Sequence, residues 1–64
     1  MKNINYNAKA DIFQQQIWDF GHNAENAYEH GDFEQAAHWL RSQDAAAVAM
    51  NYYIELHIEQ LAAK

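Results

Sequence analysis

The stretch Tyr28-Glu29-His30-Gly31-Asp32-Phe33-Glu34-Gln35-Ala36-Ala37-His38-Trp39-Leu40 decides the fold, because it sets one glycine and one helix-capping residue between two long amphipathic patterns. A helix commonly ends on a residue in the left-handed conformation, which Gly31 adopts with no Cβ penalty. Asp32 then stands as the N-cap of a following helix, with its carboxylate accepting from orphan amides and Gln35 three residues on at capping-box spacing. Asp32 and Glu34 also sit where the positive end of that helix's dipole favours an acid. A connection of about two residues makes the helices antiparallel neighbours.

Working back from the turn, Tyr6, Ala10, Phe13, Ile17, Phe20, Ala24 and Ala27 alternate steps of four and three. The residues between them are mostly polar, so one face is apolar and the expected first helix spans about Asn7 to Glu29. Residues 1–6 are expected to form a loosely ordered N-terminal segment. Forward of the turn, the expected second helix spans Phe33 to about Ala62, with its main stripe at Phe33, Ala37, Leu40, Asp44, Ala47, Asn51, Ile54, Ile58 and Leu61. Folding the chain at Gly31-Asp32 sets Ala24 near Leu40, Phe20 near Asp44, Ile17 near Ala47, Phe13 near Asn51 and Ala10 near Ile54. The expected hairpin core is therefore Phe13, Ile17, Phe20 and Ala24 against Phe33, Leu40, Ala47, Ile54 and Ile58.

A second apolar set on the second helix, Trp39, Ala46, Ala49, Tyr53 and Leu56, with Met50 between the two sets, exceeds what one helix can cover. Helices gain most of their stability from tertiary packing, and a two-helix hairpin has one seam and no interior. Trp18, Trp39, Ala46, Ala49, Met50, Tyr53, Leu56 and His57 are accordingly expected at a dimer or partner interface. The fold expected is an all-α antiparallel hairpin that homodimerises into a four-helix bundle. Asp44 and Asn51 are either a buried polar pair that fixes register and partner choice or two residues at the wet edge of the seam. Gly21 costs roughly 1 kcal/mol relative to Ala inside a helix. It either admits a close neighbour or is tolerated.

Composition bounds the rest. The 64 residues contain no Cys and no Pro, two Trp, four Tyr and three Phe, and carry a net charge of −5. No disulfide or thiolate metal site is available, which leaves oligomerisation as the leading reinforcement for a chain this short. Lys2, Lys9, Arg41 and Lys64 are the only bases and none is adjacent to another, which argues against direct nucleic-acid binding, since gripping phosphates takes several bases on one face. No signal-peptide pattern and no apolar run of about 18 residues occurs, so a cytoplasmic, membrane-free protein is expected.

Chemistry has little to work with. His22, His30, His38 and His57 with Glu25, Glu29, Glu34 or Glu55 raise a metal site, but the Glu-x-x-His spacing of a di-metal bundle is missing. Ser42 is the only Ser, Thr is absent, and neither Gly21 nor Gly31 opens a phosphate loop. No catalytic residue, metal or cofactor is assigned. A non-enzymatic protein-interaction or regulatory module is expected, and an acidic inhibitor is the alternative. In that case Asp11, Asp19, Glu25, Glu29, Glu55 and Glu59 would mimic phosphates on the basic surface of a nucleic-acid-binding protein.

Two resemblances follow. Phe20, Ala24, Gly31-Asp32-Phe33, Ala36 and Leu40 resemble the heart of a tetratricopeptide repeat over about 21 residues. Gln43 stands where that family wants Ala, no Pro closes the unit and the pattern does not recur, so the resemblance implies a shared hairpin without a solenoid or its peptide binding. From Asn3-Ile4-Asn5-Tyr6-Asn7 through Met50-Asn51-Tyr52-Tyr53-Ile54 the chain also resembles the short accessory proteins encoded between recombination and excision genes in lambdoid phages. That likeness implies a cytosolic, helical, nonessential early protein that influences the choice between lysis and lysogeny by contacting a host or phage regulator. It carries over no functional residue.

Overall fold

A computed structural model describes residues 4–63. Two antiparallel helices, α1 at Tyr6–Glu29 and α2 at Phe33–Ala62, pack along their length as a hairpin of 51 × 14 × 13 Å. Among the described residues there is no strand.

Each helix end carries the device its sequence offers. Asn5 caps α1, its Oδ1 accepting from Ala8 N at 3.0 Å. Tyr6 is thus the first helical residue, one position before the expected start, and the part of the expected loose N-terminal segment that precedes Ile4 lies outside the described residues. At the turn, Gly31 takes φ +76°. Its amide donates to Tyr28 O at 3.0 Å while Asp32 N donates to Ala27 O at 2.9 Å. This is the double closure of a Schellman motif, which satisfies two orphan carbonyls of α1. Asp32 Oδ1 accepts from Gln35 N at 3.1 Å, as the spacing predicts. The capping box is only half formed, because the Asp32 amide is already bonded to Ala27. Across the turn the Tyr28 and Phe33 rings meet edge to face, with centroids 5.4 Å apart.

The seam is narrow, and its buried residues are Ala10, Ala24, Ala36 and Ala46. Small side chains at these levels let the helices approach closely, with larger ones interleaved on either side. Phe20 stacks on Trp39 with centroids 5.6 Å apart. Toward the open end, Tyr53 stacks on Phe13 at 5.6 Å and on Tyr6 at 6.1 Å. The Lys9 ammonium lies 5.8 Å from the same Tyr53 ring, within cation–π range.

The expected core of α1 is found, since Phe13, Ile17, Phe20 and Ala24 all turn inward. On α2 the expected face is corrected. Phe33, Leu40, Ile54 and Ile58 are exposed, with Ala47 half-buried at the edge, and the seam is made instead by Ala36, Trp39, Gln43, Ala46, Met50, Tyr53, His57 and Gln60. These residues alternate steps of three and four without a break, the same 3.5-residue period as the α1 stripe, so two matched heptad patterns face each other. α2 is rotated by about one residue step relative to the expected pairing. The expected neighbours Asp44 and Asn51 are replaced by Trp39 opposite Phe20 and Tyr53 opposite Phe13. The physical reason is desolvation. The expected seam would bury a carboxylate and an amide without partners, at a cost of about 1–3 kcal/mol or more each, whereas the observed one buries alanines and stacks aromatic rings.

Candidate interaction surface

Rotating α2 toward α1 through its second stripe leaves its first stripe facing outward. Phe33 is 63%, Leu40 50%, Ile58 57% and Leu61 55% exposed, and Ile54 stands beside them at 37%. The side of α1 that adjoins this stripe carries Trp18, 66% exposed, and Tyr28. An apolar notch of about 320 Å³ joins the two helices there, lined by Gly21, Ala24, Glu25, Tyr28, Ala36 and Leu40. The α1 side of this face turns polar beyond Trp18, at Asp11, Gln14 and Gln15, while the outward stripe of α2 is largely apolar from the turn to the open end. Asp44 and Asn51 lie within it, both exposed.

The residues expected at a partner interface divide between the two faces. Trp18 lies on the outward apolar face. Trp39, Ala46, Ala49, Met50, Tyr53, Leu56 and His57 are drawn toward the seam, Ala46 being buried and the others half-buried. His57 keeps Nδ1 buried without a hydrogen-bond partner.

Gln43 escaped the sequence reading. Its Nε2 donates to Ile17 O at 3.1 Å, a part-buried bond that crosses the seam. This contact bears on Gly21, since a Cβ there would stand 2.8 Å from Gln43 Nε2, the far end of a flexible side chain that would have to shift. Gln60 makes the equivalent tie at the open end, Nε2 donating to Ile4 O at 3.0 Å. The signal that finds both is the three-four alternation from Ala36 to Gln60. Hydrophobicity hides it, because two of its members are Gln and one is His.

All nine acids, among them Asp11, Asp19, Glu25, Glu29, Glu55 and Glu59, are exposed. Among the described residues no three His, Asp or Glu side chains gather to hold a metal ion. His22 instead packs edge-on to Trp18 at 5.3 Å, and His30 Nδ1 lies 2.7 Å from Asn26 O. Among the described residues no helix is long and apolar enough to cross a membrane. Comparison with protein-family models, with curated proteins and with solved structures finds no match to this chain.

Proposed function

We propose that this hairpin is a non-enzymatic interaction module that pairs with a second copy as a four-helix bundle and acts by contacting another protein. The carrying observation is surface area. The chain exposes 5142 Å², whereas a globular monomer of 7.5 kDa exposes about 4,250 Å². The excess of about 900 Å² is close to the ~800 Å² that each partner contributes to a standard protein interface. That excess comes with the largely apolar outward stripe of α2, a surface that monomeric proteins seldom leave in water.

Sedimentation equilibrium at micromolar concentration tests the pairing. A particle twice the 7.5 kDa chain mass is expected, and a cooperatively melting particle of single-chain mass would overturn it. In the setting that the phage resemblance implies, the further partner is a host or phage regulator of the lysis–lysogeny decision.

A second reading rests on the nine exposed carboxylates, which suit an acidic inhibitor seated on the basic surface of a nucleic-acid-binding protein. Salt separates the two. Partner binding that collapses between low and high ionic strength belongs to the inhibitor, and salt-insensitive binding belongs to an apolar interface.

A further inference from the structure

We propose that the second copy lays its α2 antiparallel on α2 about a two-fold axis at Ala47, with register set by reciprocal hydrogen bonds between Asp44 of one chain and Asn51 of the other. This inference rests on the pairing proposed above and specifies its geometry.

A two-fold interface uses the same patch on both chains, so the patch must match itself when reversed. The exposed stripe of α2 does. Phe33, Leu40, Ala47, Ile54 and Leu61 stand seven apart, and reversal about Ala47 brings Phe33 to Leu61 and Leu40 to Ile54, large apolar groups against large apolar groups. Ala47 meets its own copy, and its small side chain lets the two backbones approach. About the same axis Asp44 falls level with residue 50 of the other chain, so the other chain's Asn51 stands one residue step, about 1.5 Å, further along, and Ala37 stands likewise to Ile58. The two polar residues of the stripe are therefore neighbours across the axis. A carboxylate accepts and a side-chain amide donates, so the pair satisfies itself twice across the axis.

Length points to the same occupant. α2 has 30 residues from Phe33 to Ala62, and Ala47 lies at its middle, so the axis overlaps the two helices from end to end, along about 45 Å. A shorter segment would leave part of the stripe wet. An unrelated helix would need to supply the same reversed pattern, which a second copy carries by construction.

The chain has no Cys, so single cysteines report on proximity in the full-length protein. Ala47→Cys is expected to give a disulfide-linked dimer under mild oxidation, because two side chains at the axis come within bridging reach. Ser42→Cys, half-buried on a different flank of α2, is expected to stay single-chain on denaturing electrophoresis. Cross-linking through Ser42→Cys and not through Ala47→Cys would overturn the assignment of the face.

Register is tested by exchange. Asn51→Asp sets carboxylate against carboxylate and is expected to raise the dimer dissociation constant at least about tenfold at neutral pH, with helicity kept because residue 51 is exposed on the hairpin. Adding Asp44→Asn restores one acid and one amide at each site and is expected to bring the constant back to within about threefold of the parent. A double variant no tighter than Asn51→Asp alone would overturn the register while a dimeric parent leaves the pairing intact. A monomeric parent would defeat the pairing itself.

Discussion

Tyr53 lies nearly parallel to Phe13, with ring planes 11° apart and centroids 5.6 Å apart, and it ties the open end of the hairpin. It also stacks on Tyr6 and lies under the Lys9 ammonium, so three α1 side chains converge on one α2 ring. A two-helix seam has few such anchors, and this one stands with the Gln60–Ile4 hydrogen bond in holding the open end.

Tyr53→Ala is therefore expected to destabilise the fold by about 2–3 kcal/mol, since it removes both buried ring area and the stacking geometry. Urea denaturation followed by circular dichroism measures this. Tyr52→Ala, at an exposed neighbour, is expected to change stability by less than about 1 kcal/mol.

Gly31→Ala isolates conformation from packing. A Cβ at Gly31 meets nothing within 4 Å, so any loss comes from holding a non-glycine residue at φ +76°. About 1–2 kcal/mol is expected, with Gly31→Asn costing less because Asn tolerates the left-handed region. Thermal melts of the two variants against the parent give the ranking.

Gly21 and Gln43 are expected to be coupled. Gly21→Ala gains about 1 kcal/mol of helix propensity but displaces the Gln43 amide from the Ile17 carbonyl, a part-buried bond of comparable worth, so the single variant is expected to be nearly neutral. In a Gln43→Ala background the same change has nothing to displace and is expected to stabilise by about 1 kcal/mol. A double-mutant cycle in which the two changes add would show that the contact carries no energy.

Ile58→Asp separates the apolar face from the hairpin core. If the exposed stripe is where a second copy binds, the parent's melting temperature rises with protein concentration, and this variant melts lower and independently of concentration. Ile12→Asp, on a different flank of α1 from Trp18, is expected to keep the parent's concentration dependence.

Local chemistry is what the amino-acid order alone settled here. The span of α2, the end of α1, the left-handed Gly31, the Asp32 cap and the inward face of α1 all follow from backbone preferences and a single apolar period, which neighbouring residues decide among themselves. The inward face of α2 does not follow in this way, because that helix carries two heptad stripes and neither is marked as inner by its own sequence. Tertiary packing made the choice. It turned in the stripe whose alanines admit a close approach, whose Trp39 and Tyr53 stack on Phe20 and Phe13, and whose Gln43 and Gln60 reach the backbone carbonyls of Ile17 in α1 and of Ile4 just before it. It turned out the stripe that would have buried Asp44 and Asn51 without partners. Desolvation of a polar group depends on what stands opposite it, and that is a property of two helices together.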